Sequence, residues 1–256
     1  MLEIHCLPAF ADNYLWLLRE PGSGVVGVVD PGDAAVVRAA LAARGWGLDW
    51  ILLTHHHPDH VGGNLALQAH YGCRIAGAAH DAARLPGLDV GVAGGQDFAF
   101  GASSAQIIDT PGHTRGHISW YFADAGALFC GDTIFSLGCG RLFEGDGATM
   151  WASLQRLLQL PPDTRVYCAH EYTLANARFA LSVDPQHPPL LARVAEAEAL
   201  RARAQPTVPM RLGDEQAANP FLRAADPALA AQLGMAGAQP AAVFTELRRR
   251  KDGFRG

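Results

Sequence analysis

The segment from Trp50 to Tyr71 restricts what this chain can fold into more than any other. Trp50-Ile51-Leu52-Leu53 is a short apolar run with the character of a buried strand. It runs straight into Thr54-His55-His56-His57-Pro58-Asp59-His60, which combines four histidines, an aspartate and a proline that imposes a turn. Val61-Gly62-Gly63-Asn64 then leads to a helical pattern from about Leu65 to Tyr71, closed by Gly72. A rigid strand end handing over to a tight loop crowded with imidazoles is how a metal site is usually held.

The surrounding chain supplies a matching frame. Tyr14 to Arg19 and Val25 to Val29 are rich in β-formers, and Pro21-Gly22-Ser23-Gly24 between them reads as a hairpin turn. Asp30-Pro31-Gly32-Asp33 ends the second strand, and Asp33 is placed to cap an Ala-rich helix running to about Arg44, which Gly45 terminates. Arg74 to Ala78 reads as another short strand. From about residue 96 the pattern is strand-rich, with Ala105 to Asp109, Ile118 to Phe122 and Leu128 to Cys130 each bounded by Gly, Pro or Asp. A helix from about Thr149 to Leu160 shows Leu154, Leu157 and Leu158 on its apolar side and stops at Pro161-Pro162. Val166 to Ala169 is a last strand. Residues 1–170 therefore read twice as strands followed by a helix, two α/β halves with no close repeat between them. Beyond His170, Ala, Leu, Arg and Glu dominate, and helical patterns cover about Thr173 to Ser182, Pro189 to Arg203 and Ala241 to Arg250. The expected division is a metal-binding catalytic domain at 1–170 and a small helical domain at 171–256.

Bulk properties narrow the class. With 256 residues, 49% of them hydrophobic, the chain can bury a large core and a second small module. A formal net charge of -5 argues against a general nucleic-acid binder. No apolar stretch approaches the ~20 residues of a membrane span, and no basic-then-apolar leader opens the chain. Five scattered cysteines without a Cys-x-x-Cys spacing fit reduced thiols, so a cytoplasmic protein is expected.

Histidine nitrogens and carboxylate oxygens suit zinc, and also iron or manganese. His55 and His57 are two apart at a strand end, where both can face one side. Taken alone, the loop could be a histidine-rich surface segment that binds nothing. Three later sites weigh against that. Thr110-Pro111-Gly112-His113-Thr114-Arg115-Gly116-His117, Cys130-Gly131-Asp132-Thr133 and Ala169-His170-Glu171-Tyr172 each put a ligand type at a strand-to-loop junction.

These motifs together resemble the metallo-β-lactamase superfamily, whose signature is His-x-His-x-Asp-His followed by a distant His, Asp and His. The resemblance implies a four-layer αββα sandwich, an α/β (α+β) fold, with two divalent metal ions. Zinc is the first expectation, with iron or manganese as alternatives. It also implies His55, His57 and His113 as ligands of one ion, Asp59, His60 and His170 as ligands of the other, and Asp132 bridging both. His56 falls at a variable position and is expected to be a bystander. His117 is expected to be structural or to support a ligand, and Asp30 in Val29-Asp30-Pro31-Gly32 to act near the ligand loop. His5, His70, His80 and His187 belong to no constellation. Two such ions lower the pKa of a shared water toward ~7, which makes metal-assisted hydrolysis the expected chemistry, with Asp59 and Asp132 its catalytic carboxylates.

Substrate choice has to come from outside the ligands. Gly138-Cys139-Gly140-Arg141-Leu142-Phe143-Glu144-Gly145, His170-Glu171-Tyr172-Thr173, Asn219-Pro220-Phe221-Leu222-Arg223 and Leu247-Arg248-Arg249-Arg250-Lys251-Asp252 resemble the glyoxalase II branch, hydrolases of 2-hydroxyacylglutathione thioesters such as S-D-lactoylglutathione. A helical C-terminal domain is what that branch appends to the sandwich. The resemblance implies Arg248 and Lys251 for the glycine carboxylate of glutathione and Arg141 and Tyr172 for the peptide part. Phe143 replaces a tyrosine of some members and is expected to be a packing contact only. A basic run at a helix C-terminus also meets the helix dipole favourably, which is the plain alternative for Arg248 to Lys251. The expected partner is thus a small glutathione thioester, with no nucleic acid, no membrane and a monomeric state. The rival readings are a glutathione persulfide dioxygenase, a nuclease or another hydrolase of the superfamily, and a non-catalytic histidine-rich metal binder.

Overall fold

Six consecutive residues of strand β2 (Asn13–Arg19) are buried, as in a strand covered on both faces. Its antiparallel partner β1 (Glu3–Ala9) pairs from Glu3 opposite Arg19 to Ala9 opposite Asn13, and β3 (Val26–Val29) pairs antiparallel on the other side. From β3 the sheet turns parallel through β4 (Trp50–Leu52), β5 (Arg74–Ala78) and β6 (Val90–Val92), so its order β1 to β6 follows the chain. Parallel neighbours need crossovers. Helix α1 (Ala34–Ala42) returns the chain from β3 to β4, after which come the one-turn helix α2 (Pro58–Val61) and α3 (Asn64–Tyr71) before β5. Asp33 caps α1 by accepting from the Ala35 and Val36 amides, and Gly72 closes α3 in the left-handed region, as the sequence suggests. Val37, Leu41 and Leu67 from these helices join Leu17, Val28, Ile51 and Ile75 in one core.

The computed structural model describes residues 2–255. They form two compact units, one running to Thr110 and including Arg115–Gly131, the other made of Pro111–Thr114 and the chain from Asp132 onward. The first unit also holds β7 (Asp97–Phe100), β8 (Ser103–Asp109), β9 (Ile118–Phe122) and β10 (Ala127–Gly131), an antiparallel series. Its buried rings meet edge to face, Phe100 with Phe122 at 5.8 Å and Phe122 with Phe129 at 5.9 Å.

The second unit contains the hairpin β11 (Ile134–Phe135) and β12 (Gly138–Cys139), helix α4 (Gly147–Leu157) and the pair β13 (Arg165–Cys168) and β14 (Met210–Arg211). Around them lie α5 (Thr173–Val183), α6 (Pro188–Ala202), α7 (Leu212–Ala218), α8 (Pro227–Gln232) and α9 (Pro240–Gly253). Its apolar cluster of Leu137, Ala177, Ala180, Leu190, Val194 and Ala218 is joined by a buried polar knot. Glu215 accepts from the Ser136 hydroxyl at 2.9 Å, the Leu137 amide at 2.8 Å and Asn219 at 3.1 Å, while Arg193 donates to Ser136 and to the Thr207 carbonyl. The knot fixes the β11–β12 turn, where Leu137 has φ 57°. Burial pushes the Glu215 carboxyl up, against the donors around it.

Differences from the sequence reading sit in short or irregular elements. Pro58 opens a helical turn at its first position rather than making a simple turn. β1 mixes His, Cys and Pro on an edge strand, so no alternation announces it. β6 is Val-Gly-Val, too short for a pattern. Among the described residues, no helix is long and apolar enough to cross a membrane. Replacing Glu215 by Gln leaves one acceptor oxygen and sets an amide donor either against the Leu137 amide and Asn219 or against the Ser136 hydroxyl, and we expect a loss of about 3 kcal/mol of stability, read as a lower urea midpoint at unchanged slope. An unchanged midpoint would show the knot to be dispensable.

Candidate metal centre

In the first unit the ligand loop is organised from the C-terminal ends of two parallel strands, where open α/β sheets place their sites. Val29 pairs with Leu52, so the next residue, Asp30, lies beside the exit of β4. Asp30 is buried with φ 50°, unusual for a residue with a side chain. Its Oδ1 accepts from the Thr54 amide at 2.8 Å. Its Oδ2 accepts from the Thr54 hydroxyl at 2.6 Å and pairs with His60 Nδ1 at 3.0 Å. Because the Thr54 proton goes to Asp30, the hydroxyl lone pairs face His55 Nδ1, 3.0 Å away. Both imidazoles thus carry their proton on Nδ1 and present Nε2, the tautomer a metal needs. His57 Nδ1 lies 3.0 Å from His55 Nε2, and His60 Nε2 lies 3.4 Å from Asp59 Oδ2. Ligand atoms of Asp30, His55 and His60 come within 4.8 Å of one another, but the Asp30 oxygens are committed to these hydrogen bonds, which makes it the orienting residue.

The second unit prepares three more donors. His113 Nδ1 donates to the Arg141 carbonyl at 2.8 Å, and the Phe143 amide donates to the His113 carbonyl at 3.1 Å. The loop is anchored where the Ser153 hydroxyl donates to the Pro111 carbonyl at 2.6 Å. Asp132 presents Oδ2 to His113 Nε2 at 3.3 Å and Oδ1 to His170 Nε2 at 3.4 Å. The Tyr172 ring stacks on His170 at 4.6 Å and 4°.

The donor set fits metal ions. Adjacent ligands of a tetrahedral ion with bonds of about 2.0–2.1 Å stand about 3.4 Å apart. The His113–Asp132, His170–Asp132 and His60–Asp59 pairs have that spacing. Each pair joins an imidazole nitrogen to a carboxylate oxygen, and the carboxylate of Asp132 serves two of them.

Several residues have roles the sequence did not disclose. His56 is more than a bystander: its Nδ1 pairs with Asp81 at 3.4 Å, its Nε2 lies 3.3 Å from Arg84 Nη1, and Arg84 Nε donates to Asp81 at 2.6 Å. The Arg84–Asp81 ion pair and its contacts to His56 brace the loop between His55 and His57. Fully buried His117 stacks on His55 at 4.9 Å and bonds Thr110 Oγ1 at 2.8 Å, a structural position. Asn13 donates to Asp59 Oδ2 at 2.9 Å. Its only sequence signal is an amide opening a strand whose next five residues are apolar or aromatic. Gly131, with φ 46°, is required because a β-carbon there would overlap Thr54 Oγ1.

The expected substrate residues differ among themselves. Arg141 and Phe143 are exposed, and Phe143 meets the His113 ring edge-on at 5.2 Å. Arg248 is buried. It donates to Asp252 Oδ1 at 2.8 and 3.1 Å and to the Cys139 carbonyl at 2.9 Å, and lies over Phe221. Lys251 donates to the Ala175 carbonyl at 2.9 Å and lies over Phe179. Burial first, then Arg248, Arg178 and Arg141, bring its ammonium down to about 8.

Comparison with known proteins agrees with this architecture. Residues 12–170 match the model of the metallo-beta-lactamase superfamily. Among solved structures, ETHE1 from Myxococcus xanthus superposes with a TM-score of 0.70 at 22% identity, over 96% of this chain and 90% of that one. TTHA1623 in a di-iron-bound form gives 0.55 at 28% identity, over 66% of this chain and 91% of that one. The fold is that of the metallo-β-lactamases, and the histidine and aspartate groups are of a kind that could bind metal. Residues 171–254 match the hydroxyacylglutathione hydrolase C-terminus. A relative named hydroxyacylglutathione hydrolase, from Methylococcus capsulatus, is 55% identical over the whole of both chains. The chain belongs to the hydroxyacylglutathione hydrolase family.

Asp30→Asn keeps the shape and tolerates the left-handed backbone, but it turns a donor toward Thr54 or His60. We expect metal affinity to fall about 10–100-fold, measured by zinc competition with a chelator. Unchanged affinity would remove Asp30 from the role of orienting residue.

Proposed function

We propose that this chain hydrolyses S-(R)-2-hydroxyacylglutathione thioesters, S-D-lactoylglutathione foremost, to glutathione and a 2-hydroxy acid, as a step in methylglyoxal detoxification. In this reading His55, His57 and His113 hold one divalent ion, Asp59, His60 and His170 a second, and Asp132 both. The observation that carries it is Asp132, which offers one oxygen to each of two imidazoles whose spacing suits shared ions. Zinc suits the nitrogen and oxygen donors, as do iron and manganese, and TTHA1623 is a relative in a di-iron-bound form. The five cysteines form no disulfide, which supports a reducing, cytoplasmic setting. The proposed domain boundary near 170 follows the two family matches, while the compact units divide earlier.

When bound, such ions acidify water and polarise a carbonyl. The protein's own task is to hold deprotonated donors in place and to seat the substrate. Asp30 and Thr54 set the tautomers of His55 and His60, and the Arg141 carbonyl sets that of His113. A thiolate leaves with a conjugate-acid pKa of about 8.5, so no strong general acid is required of the chain. Glutathione brings carboxylates, for which Arg141, Lys251 and Arg248 are the cations, with Tyr172 and Phe143 as ring surfaces beside His170 and His113. Of the three, Arg141 is the most exposed and stands 3.8 Å from Asp252 Oδ1, whereas Arg248 is buried and held by that oxygen at 2.8 Å and by the Cys139 carbonyl.

A thioesterase assay on S-D-lactoylglutathione with metal analysis of the same sample tests the reading. Oxygen consumption with glutathione persulfide and no thioester cleavage would favour the dioxygenase instead. Asp132→Ala should lower kcat by more than about a hundredfold, beyond what orienting residues cost, with bound metal reduced. Full turnover in that variant would sink the mechanism.

Lys251 gives a pH test. Its folded pKa is depressed to about 8, so it is charged below that pH and neutral above it. We expect KM for the thioester to rise as pH passes about 8 while kcat changes little, and Lys251→Arg to abolish the rise. A flat KM in the native protein would remove Lys251 from carboxylate binding.

A further inference from the structure

Phe10 is 59% exposed and occupies the first position of the turn between β1 and β2, with φ 50°. A bulky residue in the left-handed region is an outlier, and a phenyl ring held in water is a second unfavourable feature at the same position. Neither serves the core, since Phe10 lies outside the cluster that β1 and β2 help to build.

The ring nevertheless has a defined seat. A β-carbon on Gly32 would stand 2.9 Å from Phe10 Cε2 and would overlap the Asp59 carbonyl oxygen. The Phe10 ring, the Pro31-Gly32 turn and the backbone of Asp59 are therefore packed together with no side chain between them. The same hairpin fixes Asp59 a second time. Asn13, paired with Ala9 across the turn, donates to Asp59 Oδ2 at 2.9 Å. The strained turn thus delivers an apolar ring to the rim of the ligand loop.

We propose that Phe10 contacts the acyl group of the thioester and sets which acyl groups are turned over well. The inference rests on the hydroxyacylglutathione reading above. A glutathione thioester has two ends that differ in chemistry. The peptide end is charged, and the cations assigned to it, Arg141, Arg248 and Lys251, all belong to the second unit. The acyl end is small, carries C–H groups and begins at the carbonyl carbon that has to reach the metal ligands. Phe10 is an exposed aromatic seated against the backbone of one of those ligands, and an aromatic face matches C–H groups rather than carboxylates.

The test uses metal-loaded Phe10→Gly and Phe10→Leu, assayed with S-D-lactoylglutathione and with S-D-mandeloylglutathione, whose acyl group carries a phenyl. Glycine adopts φ 50° freely, so the hairpin survives loss of the ring. We expect Phe10→Gly to lower kcat/KM for the mandeloyl substrate by about tenfold and for the lactoyl substrate by no more than about twofold. Phe10→Leu should fall between, and inhibition by free glutathione and metal content should not change. Equal losses on both substrates, or none on either, would overturn the proposal. If the native protein cleaves neither thioester, the functional reading fails, and the inference falls with it. An altered ratio between variants cannot arise in that case.

Discussion

The carboxylate of Asp30 is the group on which the ligand loop depends. Placed by the parallel pairing of β3 with β4, it holds the Thr54 amide and hydroxyl and the His60 ring together. Through the Thr54 hydroxyl it also sets the proton position of His55. One buried anion thereby converts sheet register into the orientation of two imidazoles. Its backbone sits at φ 50°, a conformation that costs on the order of 1 kcal/mol or more. Three charge-assisted hydrogen bonds offset that cost. The loop is clamped from further sides within the same unit, where the Ile118 amide donates to the Thr54 carbonyl and Trp120 to the Leu53 carbonyl.

The second set of donors is assembled differently. There the organising group is a peptide carbonyl, that of Arg141, which takes the Nδ1 proton of His113. The residue expected to meet glutathione through its side chain thus orients a candidate metal ligand through its backbone. A shift of the Gly140–Phe143 segment would move both functions together. The knot of Glu215, Ser136, Arg193 and Asn219 immobilises the hairpin just before that segment, so the polar interior of the helical region also serves the site.

What the sequence disclosed and what it concealed divide along a physical line. Candidate ligands were legible because metal chemistry admits few residue types: His55, His57, His113, Asp132 and His170 follow strand ends, and Asp59 and His60 lie in the one-turn helix α2 just beyond. Helices α1 and α3 were legible from their end signals, Asp33 and Gly72. Asn13 and the Thr54 relay were not, because each acts on a partner far away in the sequence and is chemically ordinary on its own. His56 was hidden by its neighbours: amid candidate ligands it resembles a spare, and only the position of Asp81 and Arg84 shows its partners. In the basic run of α9, charges that look equal in the sequence have unequal freedom in the fold. Arg249 and Arg250 are taken by Glu246, and Arg248 by Asp252.

That inequality bears on how a glutathione carboxylate would be recognised. An arginine whose guanidinium is already satisfied can add little Coulombic attraction, because its field is largely cancelled by the partner carboxylate. Lysine shifts its pKa readily when buried, and Lys251 lies where burial and three neighbouring arginines disfavour its charge. An anion arriving there relieves that repulsion and favours the ammonium form, so ligand binding and proton uptake reinforce one another by linkage. In the proposed complex the carboxylate would recruit part of the charge that holds it. A neutral ligand of the same shape would gain no such term, which makes this corner of the second unit selective for anions.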